Sequence, residues 1–345
     1  MAEKTTPSML LQSSPHIASP VNSKMMMAAM LVSLAPVSIF GIIIFGFPAL
    51  INIIVAIASA IAGESLFRFI TKQPIRAKDL SAGVSGLLLA LVIPPTTPYW
   101  MTALGAVFAV VVAKEFFGGL GANVFNPALI GRAFLVMSFP AALTTWRLPV
   151  LPIGAVFSAD IVTGATPTGI TKMGAGISDV SKSLIEAGLS ASDSHWATMK
   201  TLFFGFNAGC IGETSVFLIL ASFLFLLVTR TIDWRAPVSM IAAGFIAALA
   251  FWQDPIFALY SILTGGLFFG AVFMVTDYVT SPVTEKGKVF FGIGVGVIAM
   301  LIRKWGIYPE GVCYAILIMN ASVPFLNKLL PKKYGYVYRK KEAAK

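Results

Sequence analysis

The sequence predicts an all-α integral membrane protein of about ten transmembrane helices, in two inverted repeats with interrupted helices. Three observations carry that prediction. Of 345 residues, 57% are hydrophobic and only 12% charged, and the mean hydropathy is +0.85; a soluble domain carries about 25% charged residues. Apolar runs recur at 25–46, 48–70, 81–94, 100–117, 127–142, 212–229, 237–252, 256–276, 288–303 and 311–330. Several reach the roughly 20 residues that cross ~30 Å of hydrocarbon. Finally, with a cytoplasmic N-terminus, 18 of the 25 Lys and Arg fall inside and 6 outside, which the positive-inside bias favours.

In chain order, residues 1–24 are polar, carry no short apolar stretch with a cleavage site, and read as a cytoplasmic segment without a removable signal. Residues 25–142 form the first five-helix repeat, whose third run is short and stopped by Pro94-Pro95. Residues 143–207 are rich in Ser, Thr, Gly and Asp. They are too long for an ordinary connection and read as a functional, extracytoplasmic loop. Residues 208–330 form the second repeat, where Gly265-Gly266 interrupts the apolar run that ends at Asp277 and Thr280-Ser281-Pro282. Each interrupted helix is followed by a helix with a basic end (Lys114; Arg303-Lys304), a Gly-rich turn and a last helix. Residues 331–345 are a basic cytoplasmic tail, with Lys332, Lys333, Arg339, Lys340 and Lys341. The net charge of +10 is spread over loops and this tail, which suits an anionic lipid surface and not nucleic acid.

The chain has two cysteines, Cys210 and Cys313, far apart and outside any C-x-x-C, and two histidines, His16 and His195. No four-thiolate cluster can be built from this chain alone, and no dedicated metal site is expected.

The chemistry-bearing segment is Asp160-Ile161-Val162-Thr163-Gly164-Ala165-Thr166. It resembles the target motif D-x-x-[ST]-G-A-[ST] of the bacterial flavin transferase, which joins the FMN phosphate to the final hydroxyl. Thr166 supplies the nucleophilic oxygen, Gly164 and Ala165 let the backbone enter a narrow cleft, and Asp160 provides an anchoring charge. A tether of this kind gives the ring a permanently high local concentration.

A second segment runs from Lys114-Glu115-Phe116-Phe117-Gly118-Gly119-Leu120-Gly121 through Asn123 to Asn126-Pro127-Ala128. Gly118, Gly119 and Gly121 permit positive φ and close backbone approach, and Asn123 and Asn126 offer paired donors and acceptors. Such a turn suits the polar edge of an uncharged flavin ring; Asn126-Pro127 equally reads as a helix start. Glu115, Glu213 and Asp277 lie near membrane boundaries and are ion-handling candidates. Arg132, inside a short apolar run, is placed to neutralise one of them or a flavin anion.

With Ser14-Pro15-His16-Ile17, Gly212-Glu213-Thr214-Ser215 and Thr276-Asp277 before Ser281-Pro282, these segments resemble, nearly end to end, one family. It holds the D subunit of the Rnf-type ion-translocating ferredoxin:NAD oxidoreductase and the B subunit of the sodium-pumping NADH:quinone oxidoreductase. The length favours the Rnf side. The resemblance implies a urea-transporter-like fold, one covalent FMN on Thr166, and a noncovalent riboflavin near the cytoplasmic side. It also implies a prokaryotic inner-membrane location, a flavin transferase for maturation, and partner subunits that include a second flavoprotein and iron–sulfur proteins. Electrons would cross the membrane coupled to Na⁺ or H⁺ transport. No G-x-G-x-x-G follows a strand, so NAD is left to partner chains. The alternatives are a quinone-reductase subunit and a urea-transporter-like solute channel; the flavin motif weighs against the channel.

Overall fold

In the computed structural model, residues 22–74, 79–149, 164–173, 177–186, 194–308 and 310–328 are described, and among them the secondary structure is helical, with no β-strand. The first half holds α1 (Ser23–Phe45), α2 (Phe47–Ile70), α3 (Ser81–Leu91), α4 (Tyr99–Val111, followed by a 3-10 turn over Glu115–Phe117) and α5 (Pro127–Ser138). Four short helices follow: α6 (Pro140–Leu143), α7 (Pro167–Lys172), α8 (Ile177–Glu186) and α9 (His195–Phe204). The second half holds α10 (Val216–Val228), α11 (Arg235–Trp252), α12 (Pro255–Leu263), α13 (Leu267–Phe269, continuing as a π-helix to Met274), α14 (Glu285–Trp305) and α15 (Val312–Leu326).

Each apolar run in the sequence thus contains a helix, and among the described residues four helical stretches are long and apolar enough to cross a membrane alone: Ser23–Phe45, Phe47–Ile70, Tyr99–Phe117 and Arg235–Trp252. A fifth span arises if α12 and α13, bent by 62° at Gly265-Gly266, count as one. Large apolar side chains such as Ile39, Leu66, Phe69, Leu104 and Ile246 are exposed along these helices, as a lipid-facing surface requires.

The packing of the two halves runs in parallel. In the first, α2 lies against α3 and α4, and α4 against α5; in the second, α11 lies against α12 and α14, and α14 against α15. Small residues set these approaches, since apolar burial does not drive helices together in lipid. A Cβ on Gly86 would stand 2.7 Å from the Ala56 carbonyl of α2, and one on Gly296 of α14 would stand 2.8 Å from the Gly244 nitrogen of α11.

Two interruptions shape the centre. α3 ends at Leu91 because Pro94 and Pro95 have no N–H to continue its ladder, and the freed carbonyls find a different partner: Gly212 N donates to Leu91 O at 2.7 Å and, just beyond the helix, Ile211 N to Ile93 O at 3.3 Å. Asn52 of α2 fixes the following turn, donating to Pro95 O at 3.1 Å and Thr97 O at 3.2 Å while accepting from Thr102 Oγ1 at 2.7 Å. In the second half the π-helix Gly270–Met274 is fully buried and closes on the Val275 N to Gly270 O bond of 2.8 Å. The segment between the halves docks through Ile177, Val180 and Leu184 of α8 and Met199 and Leu202 of α9 onto Tyr260 of α12.

Candidate functional site

At the end of α4 the chain buries four charges together. Lys114 Nζ bonds Ser81 Oγ at 2.5 Å and Glu64 Oε1 at 3.2 Å. Arg68 Nε lies 3.0 Å from Glu115 Oε2 and 3.5 Å from Glu64 Oε1, and its Nη2 donates to Glu115 Oε1 at 3.2 Å. Two cations meet two carboxylates, so this buried set is neutral overall. Gly118, Gly119 and Gly121 all have positive φ, as their sequence implied. Gly119 is the most constrained, since a Cβ there would stand 2.6 Å from Arg68 Nη2.

Beyond this turn Asn126 caps α5, its Oδ1 accepting from Ala128 N at 3.1 Å and Leu129 N at 3.4 Å, with Pro127 as first helical residue. The capping leaves Nδ2 for the space in front of it. Asn123 Nδ2 donates to Phe125 O at 3.2 Å, leaving its Oδ1 as the free acceptor. That space is a pocket, open on one side, walled by Ser81, Lys114, Asn123 and Asn126 from the first half and by Phe273, Asp277 and Tyr278 from the second. Asp277 Oδ2 accepts from Thr280 Oγ1 at 3.0 Å and its Oδ1 from Val279 N at 3.2 Å. Of the residues singled out in the sequence, Lys114, Asn123, Asn126 and Asp277 share this cavity. Gly118 and Gly121 shape the turn without lining it, and Glu115 faces Arg68 instead. These walls offer a donor, an acceptor, an ammonium and two aromatic side chains, the groups an uncharged ring with a polar edge would use.

The flavin-motif end lies elsewhere. Asp160 and Thr163 fall outside the described residues, while Gly164, Ala165 and Thr166 are within them. Gly164 N donates to Trp146 O at 3.1 Å, and Gly164 packs on Leu148. Thr166 is the N-cap of α7: its Oγ1 accepts from Gly169 N at 3.0 Å and lies 3.2 Å from Thr168 Oγ1, and the residue is 3% exposed. Thr168 opens onto a pocket of about 330 Å³ shared with Lys172, Arg303, Trp252 and Phe257. Arg303 Nη2 donates to Thr264 O at 3.0 Å and Lys172 Nζ to Tyr308 O at 2.6 Å. Partial burial holds the Lys172 ammonium below its ordinary pKa. Lys172, Arg303 and two aromatic rings line this neighbouring pocket, which Thr166 itself does not line.

Arg132 of α5 does neutralise an acid. Its Nη1 lies 3.4 Å from Glu213 Oε1 and its Nη2 binds Glu310 and, at 3.8 Å, Cys210 Sγ. Both thiols are free and buried; Cys210 Sγ donates to Val92 O at 3.1 Å and Cys313 Sγ to Leu129 O at 3.5 Å. Sequence reasoning passed over Glu64, Arg68 and Glu310. The signal for the first two was an acid and an arginine four positions apart within an apolar run, an i,i+4 pair that helical geometry brings together.

Helices long and apolar enough to cross a membrane, with one pair bent at Gly265-Gly266, define a polytopic membrane protein in which residues of both halves line one polar pocket. The chain belongs to the NQR2, RnfD, RnfE family, whose family model matches residues 10–335. It is 40% identical to the D subunit of the proton-translocating ferredoxin:NAD(+) oxidoreductase complex of Clostridium ljungdahlii, over 94% of this chain and 96% of that protein. It is 38% identical to the D subunit of the Na(+)-translocating ferredoxin:NAD(+) oxidoreductase complex of Acetobacterium woodii, over 96% and 97%. It is also 38% identical to the D subunit of an ion-translocating oxidoreductase complex of Stutzerimonas stutzeri, over 88% and 89%. Relatives named for different ions are thus about equally similar to this chain.

Proposed function

We propose that this chain is the membrane electron-transfer subunit of an ion-translocating ferredoxin:NAD oxidoreductase complex. In this reading it carries FMN esterified to Thr166 and a noncovalent riboflavin in the cavity of Lys114, Asn123 and Asn126. The observation that carries the reading is the convergence of those three residues with Asp277, from opposite halves of the chain, on one pocket. The names of the relatives support the complex, and the motif ending at Thr166 supports the covalent group.

A flavin supplies one- and two-electron chemistry at its ring when bound. The residues around each site supply the rest. In the cavity, Asn123 and Asn126 orient a polar edge through one acceptor and one donor, and Lys114, held by Glu64 and Ser81, offsets negative charge that develops there. At the other site Lys172 and Arg303, from the neighbouring pocket, would offset the charge of a phosphate on Thr166, and Trp252 and Phe257 would offer aromatic surface to a ring. Glu213 and Asp277 handle the transported ion; Glu115, paired with Arg68, takes part only if that pair opens.

The helices then form ten spans in two inverted, urea-transporter-like repeats in a prokaryotic inner membrane, with both termini cytoplasmic and residues 143–207 outside. Parallel packing of the two halves and the distribution of Lys and Arg support this arrangement. The partners are a second flavoprotein subunit, iron–sulfur subunits, and a flavin transferase during maturation.

The test is covalent flavin on the denatured chain. Coexpressed with a flavin transferase, the band should fluoresce after denaturing electrophoresis, and peptide mass spectrometry should place the mass on Thr166. Thr166→Ala should be dark and Thr171→Ala fluorescent. A fluorescent Thr166→Ala band removes the main support for this assignment.

A further inference from the structure

Glu213 and Glu310 form an acid pair that the redox reading does not use as a pair. Glu213 is buried at 6% exposure and comes from the segment leading into α10; Glu310 comes from the turn between α14 and α15. With Cys210 Sγ, one carboxylate oxygen from each lies within 4.8 Å of the others. A metal ion is refused at this place, because the Arg132 guanidinium contacts all three groups and a divalent cation would sit against its positive charge.

The surrounding charges leave one carboxylate short. Arg132 is the only cation in contact with either acid among the described residues. Arg303 of α14 stands on the far side of Gly265-Gly266, its guanidinium committed to the Ser261 and Thr264 carbonyls. The remaining neighbours, Cys210, Cys313 of α15, and the stacked Tyr308 and Tyr314, bring no positive charge. Glu213 Oε2 is buried and has no hydrogen-bond donor. A buried carboxylate oxygen without a donor is costly when charged, and a proton removes that cost. The pair meets water at its other acid: a pocket bordered by Trp146, Thr144 and Tyr308 reaches Arg132 and Glu310.

We propose that Glu213 and Glu310 share one exchangeable proton, held against Arg132 and reached through this pocket, and that the pair is a proton-binding site of the translocation path. Binding is the addition of one proton from pocket water to one carboxylate, and release is the reverse. Only the pair's place in a translocation path rests on the proposed function. The site itself can be tested on full chain made without a flavin transferase, so that its failure and the failure of the flavin assignment are separate results.

The test is carbodiimide labelling of the full chain in lipid nanodiscs, since the reagent attacks protonated and not ionised buried carboxyls. At neutral pH, mass spectrometry should find at most one adduct per chain, on Glu213 or Glu310, and labelling should fall as pH rises. Infrared titration supplies the sharing test. The protonated-carboxyl band of the wild type should shift in D₂O and vanish in both Glu213→Gln and Glu310→Gln, because the single remaining acid then has Arg132 to itself. Cys210→Ser should retain it. Absence of labelling on both acids at neutral pH overturns the proposal, as does a band lost in only one of the two Gln variants. Protection by Na⁺ at fixed pH also overturns it and assigns a sodium site instead. The labelling arm needs no variant, so a Gln variant that fails to fold leaves the proposal exposed to refutation.

Discussion

Replacing Arg68 with Met keeps the straight stem of the side chain and removes the charge that holds Glu115. Glu64 retains Lys114 at 3.2 Å, but Glu115 loses contacts at 3.0 and 3.2 Å and stays buried at 5% exposure. Breaking a buried ion pair from one side costs about 3–5 kcal/mol, because the partner's charge is stranded. Arg68→Met should therefore destabilise by about that amount. Adding Glu115→Gln removes the stranded charge, so the double variant should be more stable than the sum of the singles predicts, by up to about 3 kcal/mol. The assay is denaturant unfolding of the detergent-solubilised chain across the four members of the cycle. A coupling below about 0.5 kcal/mol would refute the reasoning, because it would mean that Glu115 reaches water or another donor once Arg68 is gone.

The cavity predicts a separation of two roles at Asn126. Asn126→Asp keeps the cap acceptor and removes the amide donor, so acid-extractable flavin should fall while stability holds. Asn126→Leu should also cost about 0.5–2 kcal/mol of stability, and Asn123→Leu should lose extractable flavin while covalent flavin remains. Wild-type amounts of extractable flavin in all three would move the noncovalent site elsewhere. In the loop before α11, burial acts to raise the Asp233 carboxyl. Hydrogen bonds from the Arg235 backbone and from the Lys288 and Arg235 side chains prevail and hold its pKa below the ordinary 3.8. The stability this contributes is present above that ordinary value and lost as pH falls through the depressed one. Asp233→Asn should flatten the acid limb of the stability profile, and an unchanged limb would count against the assignment. Reporter fusions at Ser178 and at the C-terminal tail should report opposite sides of the membrane; a shared compartment would rule out the orientation argued from Lys and Arg.

Hydropathy located every helical stretch of the bundle but misjudged several ends, for local and tertiary reasons. The run at 81–94 stops as helix at Leu91 because Pro94 and Pro95 offer no N–H, and Gly212, more than a hundred residues on, takes the Leu91 carbonyl instead. The run at 212–229 begins as helix only at Val216, where the Ser215 hydroxyl caps Leu218 N. The π turn at Gly270–Met274 has no periodic signature, since a single extra residue leaves the apolar pattern intact. At the candidate site, the Gly and Asn residues before Pro127 announced both their positive φ and the cap. Their meeting with Asp277 and Phe273 depends on how the halves pack, which one-dimensional patterns do not encode. Glu310 was invisible for the same reason: nothing near it in sequence marks it as the second partner of Arg132.

The placement of the buried charges also bears on how the chain enters a bilayer. A lone charge at mid-helix costs about 2.5–3.5 kcal/mol at insertion. Glu64 and Arg68 sit one turn apart on α2, 3.5 Å from each other, so that segment leaves the ribosome already self-neutralising before α4 exists. Lys114 and Glu115 arrive adjacent on the next long segment, again with no net charge, and the two pairs then exchange partners as α4 docks. Arg132 has no acid on its own helix and must wait for residues synthesised as late as Glu310. Helices α2 and α4 thus hold their own charges in balance during synthesis, whereas α5 depends on the completed second half, which makes its seating a late step of biogenesis.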